Sequence, residues 1–211
     1  MESSEMSSVF IVDAYQLLDI TKRTVLQKEI ETHFKDIQTM GNTGQFTIVM
    51  ISGSAPGLKP TNRDTVVYIS PRGISISLDF KGEPADDRGS AGLTFCKREK
   101  STIIAASEVF LTDAHGDYIM KAVAIMAVHE AMHNRLQLND KELHTGNGVA
   151  KRICDGTERV TIQNAKLWAE RCNRDVSQWT GGQALGGRRK QLMDANDPCA
   201  FHELGDILCP G

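Results

Sequence analysis

The sequence predicts an α+β fold: a mixed, mostly antiparallel sheet packed on an N-terminal helix and a central helix, followed by a C-terminal helical region. Three observations predict it. Apolar residues recur near a 3.6-residue period from Asp13 to about Met40, short runs of β-branched and aromatic residues follow, and a second helical pattern spans Asp117–Leu138. The 211 residues fit a single domain over 1–211, with 1–12 and 180–211 as flexible extensions.

In the first helix Leu17, Leu18, Val25, Leu26, Ile30, Phe34 and Ile37 form the apolar stripe, and Gly41-Asn-Thr-Gly44 ends it. Strands are expected at Phe46–Ser52, Thr65–Ser70 and Ile74–Phe80, the last two joined by a turn at Pro71-Arg-Gly73. Lys81–Gly92 is polar and rich in Gly and charge, so it reads as an exposed loop. Leu93–Cys96 and Ser101–Ala106 are two further strand candidates. The helix Asp117–Leu138 starts near Asp113–Gly116 and is apolar over more of its circumference than the first, which places it in the core. Asn139–Gly156 reads as a long structured loop, and Thr157 to about Asp175 as a third helix capped by Thr157.

Composition excludes several function classes. With 40% hydrophobic and 24% charged residues the chain is an ordinary globular protein. A net charge of −3 lacks the basic excess by which a non-specific nucleic-acid binder displaces counterions, so no nucleic acid is expected as a partner. The longest apolar stretch, Ala122–Val128, is far short of the ~20 residues of a membrane-spanning helix. The acidic start Met1-Glu-Ser-Ser-Glu does not resemble a secretory signal, which leaves the cytoplasm or export by a signal-independent route. Five cysteines without a CxxC pair fit reduced thiols; Cys154 with Cys172, or Cys199 with Cys209, are the bridges an oxidising compartment would allow. Gly181–Lys190 lacks the Gly-Lys-Ser/Thr of a phosphate loop and reads as a flexible basic segment.

The chemistry lies in Ala127-Val-His-Glu-Ala-Met-His-Asn134, which sets His-Glu-x-x-His inside the central helix. Residues four apart lie about 40° apart on one helical face, so His129 and His133 can reach a single metal ion about 2.0–2.1 Å from each ring nitrogen. Glu130, beside His129, then stands close enough to act on a metal-bound water. The bland alternative is two histidines bonded to core carbonyls. Burying two imidazoles and a carboxylate behind Ala122–Val128 is costly without a partner for each, and a metal supplies one for all three.

On these residues the chain resembles the zincin metallopeptidases, whose shared signature is this motif on a helix behind a mixed sheet, and it is loosely similar to the metzincin branch. The resemblance implies a zincin-like fold from about Asp13 to Asp175, one catalytic Zn2+ ion, Glu130 as general base, and a peptide or protein substrate. It also implies a substrate strand along the sheet edge above the helix, by position Gly92–Cys96 or Ser101–Ala106. The metzincin continuation is absent: its glycine position holds Leu136 and its last position Asn139, and Gly148-Val-Ala150 stands where a methionine turn would be, with Met193 as a distant substitute.

An open catalytic site takes three protein ligands, so one more is needed. His144, in a tight Gly-bounded loop, is the favoured third ligand with His129 and His133; Glu158, as in gluzincins, and Asp140 are the alternatives. A second oxyanion donor could come from His115, Tyr118, Arg152 or His202. The expected function is a zinc-dependent endopeptidase hydrolysing peptide bonds through a metal-bound water activated by Glu130, with an exported effector or toxin as one biological setting. The alternatives are a zinc-dependent amidase or a deformylase-like hydrolase of a small substrate, the latter with Cys96 as a ligand, or a non-catalytic zinc-stabilised binding module. His33 in the first helix is an ordinary surface or core histidine.

Overall fold

Val9-Phe10-Ile11-Val12 is a continuous run of β-branched and aromatic residues, the composition of a strand. In a computed structural model describing residues 6–53, 55, 57–71, 92–99, 102–111, 120–151 and 157–178, it forms β1 (Ser7–Asp13), a central strand of the sheet. Residues 7–12 are therefore part of the sheet rather than of a flexible extension. Their strand partners, β2 (Phe46–Ser52) and β3 (Thr65–Pro71), are brought alongside only by folding.

The chain leaves β1 through the buried carboxylate of Asp13, which accepts from the Leu17 and Leu18 amides at 2.8 and 3.0 Å. This turn delays the first helix, α1 (Ile20–Gly41), by seven residues relative to the start expected at Asp13. Asp19 caps it by accepting from the Lys22 amide at 2.8 Å, and Asn42, at φ +51°, ends it. Leu26, Ile30, His33, Phe34 and Ile37 form its buried stripe, so His33 is a core histidine.

The sheet runs β2-β1-β3-β5-β4, with β4 at Gly92–Glu99 and β5 at Thr102–Leu111; β6 (Val176–Gln178) pairs with the start of β5. The expectation of a mostly antiparallel sheet is corrected here. Four strands, β2, β1, β3 and β5, are mutually parallel, β6 is parallel to β5, and only β4 is antiparallel. The β1–α1–β2 crossover accounts for the parallel pairing of β1 with β2, since a chain that leaves a strand through a long helix returns in the same direction, whereas the tight connection between β4 and β5 reverses it. The expected strand Ile74–Phe80 lies outside the described residues.

One face of the sheet carries the helices. α2 (Met120–Leu136) packs on β3, β4 and β5, α1 lies against it and β2, and α4 (Ile162–Arg171) closes over α1. Trp168 of α4 meets Phe34 and Phe46 edge-on, with ring centroids 5.3 and 5.6 Å away. The cap of α4 is Thr161 rather than Thr157. Its hydroxyl accepts from the Asn164 amide at 3.2 Å while the Asn164 side chain accepts from the Thr161 amide at 3.0 Å. Thr157 could not build this box, because the residue three further on is Val160. Among the described residues no helix is long and apolar enough to cross a membrane, and Cys172 is a free thiol.

Candidate metal centre

Almost every residue of α2 from Val123 to Leu136 is buried, because the helix is walled by the sheet on one side, by α1 on another, and by the returning chain after Leu136 on a third. The side toward β4 carries Glu130; the side toward the returning chain carries His129 and His133.

The returning segment is shaped by short-range bonds. α2 stops at Leu136, Gln137 turns at φ +52°, and the Leu138 carbonyl then accepts from His133 Nδ1 at 2.7 Å. A single turn follows, α3 (Asp140–Leu143), held by Asn139 and Glu142 exchanging side-chain and amide bonds of 3.0 and 3.1 Å. It delivers His144 to the other two rings. A 3-10 turn, Gly148–Ala150, next brings the Val149 carbonyl 2.8 Å from His129 Nδ1. Gly148 has φ +63°, and a Cβ there would collide with the Arg159 carbonyl, so this turn requires glycine. The same Asn164 that caps α4 donates to the Asn147 carbonyl at 3.0 Å, tying the turn to α4.

With Nδ1–H of His129 and His133 committed to carbonyls, each ring presents the lone pair of Nε2. The three Nε2 atoms lie 3.1 Å (His129–His133), 3.0 Å (His129–His144) and 3.3 Å (His133–His144) apart. Nitrogens about 2.0–2.1 Å from one tetrahedral ion stand about 3.3 Å from each other, so the triad is slightly tighter than that and close enough to share a metal ion. Lone pairs facing one another at this range repel unless a cation lies between them, and carbonyl partners on Nδ1 are the usual outer support of metal-binding histidines. The site fits a divalent cation with imidazole ligands. Burial pushes His129 down to about 4, which keeps it in the neutral, ligating form at neutral pH.

The three histidines form the cluster expected for the metal, and no other described His, Cys, Asp or Glu joins it. Glu158 is buried elsewhere, in an ion pair with Lys151 at 3.6 Å. Asp140 opens α3; its side chain, like those of Cys96, His115, Tyr118, Arg152, Met193 and His202, lies outside the described ones.

Glu130 is fully buried, and the Thr94 hydroxyl donates to its Oε2 at 2.6 Å. Behind Thr94, Ser107 Oγ lies at 2.8 Å and accepts from Asn134 Nδ2 at 3.0 Å, and Asn134 and Gln178 exchange amide bonds of 3.0 and 2.8 Å. The Asn134 amide donates to Ser107 and the Thr94 hydroxyl to the carboxylate, and the two hydroxyls share a bond of their own. Gly92 faces the same carboxylate so closely that a Cβ would come within 2.6 Å of Oε1. Sequence reasoning missed Thr94, Gly92 and the two supporting carbonyls. Gly92 closed a stretch read as loop, and a backbone carbonyl carries no residue-type signal.

Burial, and then Arg159, lowers the pKa of a second imidazole, His33. For both histidines the folded value lies below the unfolded one near 6.5, so the unfolded chain binds more protons between the two. For His129 the contribution to stability is present above pH 6.5 and is lost as the pH falls toward about 4, and the contribution of His33 falls in the same direction. Urea unfolding of the metal-free chain should show a falling midpoint over that window, and His33→Leu should flatten the slope; an unchanged slope would refute the assignment.

No protein-family model, no curated protein and no solved structure matches this chain.

Proposed function

We propose that this protein is a zinc-dependent endopeptidase in which His129, His133 and His144 hold one zinc ion and Glu130 is the general base. The observation that carries the proposal is the convergence of three Nε2 atoms within 3.0–3.3 Å, one residue along the helix from a buried carboxylate. Three imidazoles are a ligand set that an open catalytic zinc site uses. A helix bearing this motif behind a mixed sheet agrees with the zincin-like fold the motif suggests.

When bound, zinc supplies Lewis acidity, lowering the pKa of a water at its open position to about 7 and polarising the substrate carbonyl. The chain's own groups do the rest. Glu130 takes the proton of the attacking water at Oε1, since Thr94 engages Oε2, and passes it to the departing amine. The Thr94 bond stops the carboxylate from rotating away while it carries that proton.

Of the two strands considered as the substrate edge, β5 is flanked by β4 on one side and by β3 and β6 on the other, whereas β4 ends the order of the described strands. An extended peptide pairing with β4 by main-chain bonds would pass beside Gly92 and Thr94, and hence beside Glu130. This edge favours a peptide over the small substrate of an amidase or deformylase.

Metal analysis of the purified full chain should find about one equivalent of zinc. His144→Ala should lower that content sharply and weaken zinc affinity about a hundredfold or more, whereas Glu158→Ala and Asp140→Ala should leave it unchanged. A metal-free wild type, or zinc lost with Glu158 rather than His144, would end the assignment.

A further inference from the structure

A cavity of about 650 Å³ opens at the N-terminal ends of β1, β2 and β3, beneath α4 and the last turn of α2, and none of its lining residues belongs to the histidine cluster. Its wall is unusually rich in donors: the guanidinium groups of Arg63 and Arg135, the indole of Trp168, and the hydroxyl-bearing Ser8 and Thr65.

Two of these donors are incompletely satisfied. Arg135 is 2% exposed, and its Nη atoms donate to the carbonyls of Asn62, Asp64 and Arg174 at 2.9, 3.2 and 2.5 Å, but its Nε–H has no acceptor. Trp168 is 1% exposed, and its Nε1–H has none either. Buried donors are almost always paired, and both orphans belong to residues that line this one cavity.

The charges around the cavity select the kind of acceptor. Both oxygens of Asp64 are occupied, Oδ1 by the Ser8 amide at 2.8 Å and Oδ2 by the Thr61 amide and hydroxyl at 2.6 and 2.9 Å. Asp175, largely exposed, pairs with Arg63 at 3.4 Å, and Arg63 also donates to the Asn173 carbonyl. Arg135 is hydrogen-bonded only to neutral carbonyls, and the nearby carboxylates Asp64 and Asp175 act on its charge through space rather than by a direct bond. A fixed planar fork in that state matches an oxyanion.

We infer that this cavity is a second binding site, for a small molecule carrying an oxyanion, with Arg63 and Arg135 as its anchors and Phe46 and Trp168 against its apolar part. The volume lies within the range of small-molecule pockets. Phosphate and carboxylate share the required chemistry, and the experiment separates them.

Trp168 is itself the reporter. The chain has two tryptophans, so Trp179→Phe in the otherwise intact, metal-replete protein leaves the cavity indole as the only one. Inorganic phosphate and, separately, benzoate are titrated while indole emission is followed. At least one should give a saturable change, and the stronger of the two names the class. Arg63→Gln, at the partly exposed mouth, and Arg135→Lys, which keeps the charge but removes the Nε donor, should each weaken that titration about tenfold or more. Circular dichroism and zinc content serve as controls for folding, and Arg63→Gln alone decides the matter if Arg135→Lys does not fold. No saturable change with either anion, or one that survives the arginine substitutions, overturns the inference.

Discussion

Glu130→Gln is expected to retain a full equivalent of zinc and to lose peptide-bond cleavage by about 10²–10⁴-fold, the usual worth of a positioned general base. The two effects separate because the metal is assigned to three imidazole nitrogens and the proton to the carboxylate. The amide is the same size as the carboxylate and its oxygen can still accept from Thr94, so the buried network Thr94–Ser107–Asn134–Gln178 should survive with little change in stability. Cleavage of an unfolded protein substrate and zinc content, measured on the same preparation, test this. Undiminished cleavage removes Glu130 from the mechanism. Zinc lost together with activity would mean the carboxylate holds the metal, and no detectable cleavage by the zinc-loaded wild type would favour the non-catalytic reading.

Gly92→Ala should be nearly as damaging to activity without touching a ligand. The added methyl would lie 2.6 Å from Glu130 Oε1, 2.7 Å from its Cγ and 2.9 Å from the Glu108 carbonyl. One of those neighbours is a strand backbone, so the carboxylate has to give way, and its 2.6 Å bond to Thr94 goes with it. Displacing a catalytic group by about 1 Å typically costs on the order of 10²-fold in rate. Zinc content should stay at the wild-type level, since none of the three imidazoles is among the nearest neighbours of a methyl at Gly92. Zinc lost with the substitution, or activity kept, would show that Gly92 does not set the position of Glu130.

Much of the secondary structure was legible. Phe46–Ser52 is a strand with the bounds its β-branched run suggests, and the central helix covers Met120–Leu136 within the expected Asp117–Leu138. What misled was context. Val9–Val12 fell within the stretch 1–12 read as a flexible extension, because a parallel strand is recognised by its pairing partners, and those lie more than 30 residues away. Strand direction was misread for the same reason: a turn such as Pro71-Arg-Gly73 advertises reversal locally, whereas the β1–α1–β2 crossover that makes β1 and β2 parallel spans residues 14–45. At α4 the difference was one side chain, since Thr161 has Asn164 three residues on to complete its cap and Thr157 has Val160.

By itself the sequence determined that His129 and His133 share one face of a helix and that Glu130 adjoins them, because the pitch of an α-helix is local and needs no partner. It narrowed a third ligand to a few residues by residue chemistry alone. Only the tertiary structure decided which nitrogen arrives beside the other two, and that the Leu138 and Val149 carbonyls orient the rings. It likewise decided that Thr94 and Gly92, on a strand 36 and 38 residues before Glu130, shape the carboxylate's surroundings. The physical reason is reach: a helix sets geometry over four residues, but a cluster assembled from a helix, a returning loop and a sheet edge depends on how the buried faces of those elements pack together.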